Sequence, residues 1–318
     1  MTAYIIRRLI LAVVVLLITS VIVFLAMRLL PGDPILLKMT SSEMRGTSPE
    51  QIEFLRHQFG LDKPLFLQYF DWVGGAVRGD LGVSILYQDD VWNQVKQSLP
   101  PTAHIGGLAE FFGFIIGVPL GIVCAVRRGK WLDTIITVLA NLGITVPVFW
   151  LGILLMYTFA LELRWLPAFG YTSPVDDFWA STRQLIMPVF CLAVFPVAAV
   201  MRQTRSSMLE VMRQDYIRTA WSKGLRERMV VMKHALKNGL IPVLTFVGLG
   251  ITNIIGGLVL IETVFNIPGT GRLMVFSILN QDYPITQGIT LIIAIVVVVV
   301  NLIIDISYGW LDPRIRYN

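Results

Sequence analysis

The fold is decided by long apolar runs, the first of which is Leu9–Leu30, LILAVVVLLITSVIVFLAMRLL. A bilayer core about 30 Å thick is crossed by about 20 apolar residues in a helix. Only Arg28 interrupts this run, and Arg7 and Arg8 precede it. A signal peptide has a shorter apolar core and a small-residue cleavage site. The run therefore predicts a retained first transmembrane helix.

Five further runs meet or approach the same standard, at 105–126, 134–161, 185–201, 240–261 and 288–308. The fourth of the six is short and contains Pro188 and Pro196, which spanning helices tolerate. The chain is 55% hydrophobic and 15% charged, against about 25% charged residues in a soluble domain. These features predict an all-α, polytopic membrane protein with about six transmembrane helices.

Basic residues alternate along the chain in the way that membrane topology requires. They cluster before the first run and after the second, fourth and sixth, as Arg127, Arg128 and Lys130 illustrate. Cytoplasmic loops carry an excess of Lys and Arg. We therefore expect a multi-pass protein of the cell membrane with both termini and the segment 202–238 in the cytoplasm. The net charge of +5 is explained by these loops, so nucleic acid is not an expected partner.

The segment 31–101 mixes acidic and basic residues with apolar anchors such as Trp72. Ser48-Pro49-Glu50-Gln51 is typical of a helix start, with a capping serine and proline at the first helical position. Gly79-Asp80-Leu81-Gly82 is typical of a turn. We expect a small, mostly helical, folded segment outside the membrane, which together with the 266–283 loop faces a partner protein or lines the outer entrance.

The segment 202–242 is basic but also carries apolar residues, and its centre reads DYIRTAWSKGL over 215–225. Tyr216, Ala220 and Trp221 recur at helical spacing, and Gly224 is expected to end or kink this helix. A solvated connector would explain the charge but not the apolar positions. A helix with an apolar face outside the bilayer needs a protein groove or the lipid surface.

This loop resembles the cytoplasmic loop of importer-type ABC permeases, whose pattern is Glu-Ala-Ala, three residues, then Gly. Ala220 and Gly224 match that pattern, whereas Arg218 and Thr219 depart from it. The departure resembles the dipeptide/oligopeptide/nickel branch, in which Tyr-x-Arg-Thr-Ala-x-x-Lys-Gly-Leu is typical. Further stretches that resemble this branch, in order along the whole chain, are 31–34, 79–82, 204–211, 262–265, 268–272, 282–284 and 312–314.

The resemblance implies a type I ABC importer permease fold and a function as one permease subunit that forms the translocation path for di- or oligopeptides. The same family handles nickel chelates, glutathione and opines, and these substrates stay open. Implied partners are a homologous second permease, two ATP-binding subunits, an extracytoplasmic solute-binding protein and membrane lipid. The partners, not this chain, would bind ATP. The implied ATPase-coupling residues are Asp215, Tyr216, Arg218, Thr219, Ala220, Trp221, Lys223, Gly224 and Leu225.

The expected organisation has three parts. Residues 1–100 form the first transmembrane helix and the extracytoplasmic helical segment, and residues 101–310 form the permease domain. Residues 202–238 form the coupling loop within that domain. Gly113, Gly117 and Gly121, at four-residue spacing, indicate close packing against another span or the partner subunit, and Gly256 and Gly257 have the same interpretation.

Glu110 lies in the second apolar run, where a carboxylate is costly unless it reaches water or lines a path. With His104 near it in sequence, a shallow position that reaches water is favoured over a residue of the translocation path. Cys124 and Cys191 lie in apolar runs and are expected to be packing residues. His57, His104 and His234 have no partners at metal-ligand spacing.

No enzyme is predicted, because the chain has neither a phosphate-binding glycine loop nor a cluster of catalytic groups. A secondary transporter is the alternative of a different class. It would place several polar residues deep in the spans and would often show inverted repeats, and neither feature is clear in this sequence.

Overall fold

The computed structural model describes residues 2–38 and 48–311, without the side chains of 2–5, 245, 249, 251–256 and 305–311. Within these ranges the chain forms helices and turns, with one isolated antiparallel bridge between Val83 and Asp90. The expected Gly256 contact and the motif at 312–314 lie outside what is described.

The helices, in chain order, are α1 Thr2–Leu29, α2 Pro34–Lys38, α3 Pro49–Gln58, α4 Leu65–Val77, α5 Val91–Val126, α6 Trp131–Thr145, α7 Val148–Leu155, α8 Phe178–Val211, α9 Asp215–Ser222, α10 Glu227–Met229, α11 Leu236–Val264, α12 Thr270–Leu279 and α13 Tyr283–Leu311. Two π-helical segments extend this set. Met156–Glu162 continues α7, and Val230–Ala235 joins α10 to α11.

The number of membrane-spanning helices agrees with the sequence. Five helical stretches of the described chain are long and apolar enough to cross a bilayer, at 6–29, 91–126, 178–211, 227–248 and 283–304. The pair formed by 131–145 and 148–162 makes a sixth span if it counts as one. The prediction of an all-α protein with about six spans is confirmed.

The third predicted span, over 134–161, is broken into two helices. The chain bends by 98° between Thr145 and Val148. Pro147 has no N–H to donate and disfavours helical geometry in the residue before it. Val146 accordingly has φ −74° and ψ 124°, which is extended backbone. The fourth span behaves in the opposite way, because α8 continues through both Pro188 and Pro196.

The helix that contains the second predicted span begins at Val91, inside the segment 31–101. Pro100 and Pro101 lie inside the helix. Its first turns are held by packing, because Val91 and Val95 are buried in one apolar cluster with Ile285 and Ile289. The expected loop at 266–283 also contains a helix, α12.

The described residues divide into two compact units, one made of the chain up to residue 100 with 268–302, the other of 101–267 with the chain from 303 on. In the first unit Ser48 caps α3, since its side chain accepts from the Gln51 amide while the Gln51 side chain accepts from the Ser48 amide. The expected helix start is confirmed. Asp282 is fully buried and accepts hydrogen bonds from the Ser84 hydroxyl at 2.5 Å and the Leu86 amide at 3.0 Å.

In the second unit α5 packs against α8 along the expected row of glycines, Gly113, Gly117 and Gly121, called here the glycine seam. A Cβ added to Gly113 would lie 2.5 Å from Pro196 Cβ, and one added to Gly121 would lie 2.5 Å from Thr204 Cβ. Gly117 would likewise meet the Val197 carbonyl oxygen at 2.9 Å. The glycines therefore pack against a span of the same chain. Cys124 and Cys191 are buried and free, as expected of packing residues.

Candidate functional site

The predicted coupling loop is a helical hairpin-like element broken at Gly224. Helix α9 follows Gln214, whose backbone is extended (φ −70°, ψ 150°), and has Asp215 in its first turn. It ends at Ser222, and the Gly224 amide then donates to the Trp221 carbonyl at 2.9 Å. Gly224 has φ +75°, a backbone conformation that residues other than glycine and asparagine rarely adopt. The expected break between two helices is confirmed.

The inward face of α9 differs from the expected one. Ile217 and Ala220 are buried and pack in one cluster with Met208, Val230 and Ala235. Tyr216 and Trp221, which were expected to share a face with Ala220, are exposed at 44% and 40%. Ile217 and Ala220 lie three positions apart and so share a helix face. That spacing is the signal that the sequence interpretation missed.

The consequence for Ala220 is direct. Its methyl group faces this chain's own apolar cluster, so it does not line the outer surface of the loop. In the structure Ala220 is thus a packing residue of this chain, and its role in coupling to the ATPase stays a prediction. Leu225, half-buried, packs against the same cluster.

The outer surface of the loop carries the remaining predicted residues. Asp215, Arg218, Thr219 and Lys223 are exposed, and Arg218 lies 3.5 Å from Asp215 as an ion pair across one helical turn. The Thr219 hydroxyl donates to the Asp215 carbonyl at 3.0 Å and is therefore satisfied within the helix. This surface combines charged side chains with large exposed apolar ones, namely Tyr216, Trp221, Met229 and Met232.

The loop is joined to the spans by polar contacts. The Asn238 amide group donates to the Tyr216 hydroxyl at 2.8 Å, and the Ser207 hydroxyl donates to the Gly239 carbonyl at 2.8 Å. Since Ser207 lies in α8 and Gly239 in α11, the second contact fixes the start of α11 against the end of α8. Both ends of the loop are thereby held by the transmembrane helices.

The second unit also contains a cavity of about 520 Å³ within the spans. The broken third span contributes residues 143–148, and the rest of the lining comes from Glu110 on α5, from 191–200 on α8 and from Phe246, Val247, Gly250 and Gly257 on α11. A helix break leaves backbone carbonyls and amides without intrahelical partners. Discontinuous spanning helices of this kind form substrate sites in other transporters.

Glu110 is half-buried on the wall of this cavity. A Cβ added to Gly250 would lie 3.0 Å from its Oε1, so the glycine makes room for the carboxylate. His104, its neighbour in sequence, instead lies 3.3 Å from the Tyr171 hydroxyl. Glu110 therefore lines a cavity, as the alternative interpretation expected, and its depth in the membrane stays a prediction.

Comparison with known proteins identifies the family. Residues 117–317 match the binding-protein-dependent transport system inner membrane component, and residues 1–106 match the N-terminal segment of such membrane components. The chain belongs to this family. It is therefore a multi-pass membrane permease of a binding-protein-dependent, ABC-type transport system, and it works with other components of that system.

Relatives of the permease are similar over its full length. The dipeptide transport system permease protein of Alkalihalophilus pseudofirmus is 38% identical, with 100% of both chains covered. A protein of Brucella abortus strain 2308 that is named as a peptide transport system permease is 42% identical, again with 100% of both chains covered.

Solved structures show the same fold at much lower identity. The MetNI methionine ABC transporter in inward-facing conformations has a chain that aligns with a TM-score of 0.57 and 16% identity, covering 69% of the permease and 96% of that chain. An amino acid ABC transporter solved with histidines aligns with a TM-score of 0.50 and 15% identity, covering 70% and 94%. The ABC importer permease fold predicted from sequence is confirmed.

Proposed function

We propose that the permease forms the path by which di- or oligopeptides cross the cell membrane. The observation that carries this proposal is the full-length similarity to peptide and dipeptide permeases. The substrate is loaded by a solute-binding protein outside the membrane. A homologous second permease completes the path, and two ATP-binding subunits supply the energy, so ATP is bound by those partners.

The path includes the cavity beside the broken third span. Its lining is mostly apolar, with Glu110 as its one carboxylate among the side chains that the structure describes. An apolar wall accommodates varied side chains, and the free backbone groups at the break between Thr145 and Val148 suit the peptide bonds that all peptides share. A carboxylate suits the amino terminus that unmodified peptides also share.

The coupling loop transmits the ATPase cycle to this path. ATP can drive transport only if the closed ATPase binds one permease state better than the other. Trp221 and Met229, on the exposed surface, are the apolar anchors of that contact, with Arg218 and Lys223 at its rim. Ile217 and Ala220 hold the loop to the spans, so a force on the outer surface reaches α8 and α11.

The substrate is tested by uptake. The permease is expressed with the transport genes that neighbour its own gene. Uptake is then measured separately for a labelled dipeptide, a hexapeptide, glutathione and nickel. The proposal expects saturable peptide uptake that requires the binding protein and stops when the ATPase is inactivated. Nickel or glutathione uptake without peptide uptake would reject the peptide path and favour the related alternative.

The proposed orientation places both termini and the 202–238 loop in the cytoplasm. Single cysteines are introduced at Glu50 and Arg228, both exposed, in a chain whose two buried cysteines are replaced by alanine. A membrane-impermeant thiol reagent added outside is expected to label the first site and not the second. Labelling of the cysteine at position 228 alone would show that the orientation is the opposite of the one proposed. Ser41, another position in the outer segment, lies outside the described residues.

The outer segment is proposed to receive the binding protein. Phe54, Phe66 and Phe70 are large apolar side chains of α3 and α4 that are more than half exposed, which is typical of interaction surfaces when such residues cluster. Replacing all three by serine is expected to lower uptake while copurification of the ATPase stays at the wild-type level. Unchanged uptake would reject this role.

A further inference from the structure

Arg28 has an unusual environment in the first unit. It lies in the last turn of α1, its Cζ lies 4.0 Å from the centre of the Phe24 ring and 4.7 Å from that of Tyr283, and its Nε donates to Gln68 Oε1 at 3.0 Å. Its Nη1 is buried and, among the described residues, meets no acceptor. A buried guanidinium without a counter-charge is costly.

The nearby carboxylates do not supply that counter-charge. Arg28 lines a cavity of about 320 Å³ together with Asp71 and Asp80. The Asp71 carboxylate pairs with Lys63 at 2.7 Å, and the Asp80 carboxylate accepts from the Gly82 amide at 2.8 Å. No described carboxylate forms an ion pair with Arg28.

Two other residues that line the same cavity each carry a buried side-chain donor without a partner among the described residues. Trp72 Nε1 and Gln287 Nε2 are both buried, and neither meets an acceptor in the described part of the chain. The Gln287 side chain belongs to a residue that is only 2% exposed. Buried donors in folded proteins nearly always have partners. Three unsatisfied donors on residues that line one cavity therefore point to a ligand rich in acceptors.

We infer that this cavity is an oxyanion site that binds a phosphate group, contributed by a phospholipid headgroup or by free phosphate. A phosphate offers several acceptor oxygens and the negative charge that Arg28 lacks, and guanidinium groups bind it with two parallel hydrogen bonds. Ordered water would satisfy the donors but would leave the charge of Arg28 uncompensated. Lys63 and His57 also line the cavity, where each contacts a carboxylate, Asp71 and Asp62 respectively.

The place of Arg28 along the chain agrees with a lipid as one source. The candidate span runs from Ile6 to Leu29, so Arg28 stands at the end of an apolar helix, where the hydrocarbon gives way to headgroups. Arginine at such a position reaches toward the interface, and basic pockets at the ends of spans bind lipid headgroups. This inference does not depend on which substrate the permease transports.

The test measures the thermal denaturation midpoint of the permease, purified in detergent with its partner subunits. The probes are a short-chain phosphatidylglycerol, inorganic phosphate and chloride at equal ionic strength. The wild-type midpoint is expected to rise with a phosphate probe at concentrations at which chloride has no effect. Arg28→Met, which keeps the apolar stem, should weaken the apparent affinity about tenfold or more, because a charge-assisted contact is lost. Gln287→Leu should weaken it less.

Arg78→Met is the matched control, because Arg78 is exposed in the same outer segment and does not line the cavity. It should keep the wild-type response. A response to phosphatidylglycerol alone identifies a lipid headgroup, and an equal response to inorganic phosphate identifies the free ion. If the wild type responds to neither, or Arg28→Met keeps the full response, the cavity holds water only. If Arg28→Met fails to fold, the responses of Arg28→Lys and Gln287→Leu to the phosphate probes are compared with that of the wild type in the same way.

Discussion

Arg205 donates two parallel hydrogen bonds to Asp133, from Nε to Oδ1 and from Nη2 to Oδ2, each 2.8 Å long. The Gly129 amide adds a third donor to the carboxylate at 3.0 Å. Asp133 lies in the first turn of α6 and Arg205 near the end of α8, so the pair fixes the two helices beside the start of the coupling loop. Paired donors of this kind form a geometrically specific contact.

Replacing Asp133 by alanine is expected to destabilise the permease by about 3 kcal/mol. That value is the lower end for breaking a buried ion pair, because about a third of the Arg205 side chain still reaches solvent. The measurement is chemical or thermal denaturation of the purified protein. Asp71→Ala, which breaks the exposed pair with Lys63, is the control and should cost less than about 1 kcal/mol. Equal losses of stability in the two variants would show that the Asp133 pair contributes no more than an exposed ion pair.

The double variant Asp133→Ala/Arg205→Ala sharpens this test. Each single change leaves the opposite charge without its partner, whereas the double change removes both. The double variant should therefore lose clearly less stability than the sum of the two single losses. Strict additivity would mean that the two side chains do not stabilise one another.

The glycine seam yields a second prediction. Gly121→Ala places a Cβ 2.5 Å from Thr204 Cβ and 2.6 Å from the Met201 carbonyl oxygen, so α5 and α8 must separate. Overpacking of this kind costs about 1–3 kcal/mol. Gly107→Ala, in the same helix, adds a Cβ with no described residue of another segment within 4 Å and should be neutral or stabilise by up to about 1 kcal/mol through helix propensity. An equally large loss of stability in Gly107→Ala would contradict the close packing of α5 and α8 at the glycine seam.

A third prediction concerns the break in the coupling loop. In the described part of the chain, no heavy atom other than those of its two chain neighbours lies within 4 Å of a Cβ added to Gly224, so a substitution there acts through the backbone. Valine is strained at φ +75°, whereas asparagine tolerates this region. Gly224→Val is expected to reduce copurification of the ATPase and transport, and Gly224→Asn to retain most of both. If valine recruits the ATPase as well as asparagine does, the left-handed turn is not needed for coupling.

A fourth prediction separates the two faces of α9. Trp221→Ala removes an exposed apolar side chain and should lower ATPase recruitment without changing the protease resistance of the loop. Ala220→Glu puts a charge into the buried cluster and should make the loop itself sensitive to protease. Both variants should still insert in the membrane. If the Trp221→Ala variant recruits the ATPase as well as the wild type does, the loop is only a connector between spans.

Local signals in the sequence were enough for some of these features. The capping pattern at Ser48 and the break at Gly224 depend on neighbouring residues, and both were predicted in place. The ion pair of Asp133 with Arg205 joins residues 72 positions apart, so no local pattern indicates it. Which face of α9 is buried also depends on the later segment that contains Val230, since Ile217 finds its apolar partners there.

The bend at Pro147 escaped prediction for a different reason. Residues on both sides of it are mostly apolar, so composition favours one span of the right length. Proline is common in spanning helices, and α8 continues through two of them. Whether a proline bends a helix depends on what packs against it, and here the bend opens onto a cavity.

The cavity gives the last prediction, which concerns Glu110. Glu110→Gln keeps the shape of the side chain and removes its charge, so the contact with a positively charged peptide amino terminus is weakened. Loss of a charge-assisted hydrogen bond corresponds to about a tenfold loss in apparent affinity or more. Uptake of an unmodified dipeptide should therefore fall, while uptake of the same dipeptide with an acetylated amino terminus should change little. The comparison uses the full transporter in proteoliposomes.

Glu53→Gln is the matched control, because Glu53 is exposed on α3 and does not line the cavity. It should leave uptake of both peptides unchanged. An equal fall for the two peptides in Glu110→Gln would mean that the carboxylate supports the structure of the path rather than the amino terminus of the substrate. Unchanged uptake of both would remove Glu110 from the path altogether, because a carboxylate on the wall of the path would then have no effect on what passes it.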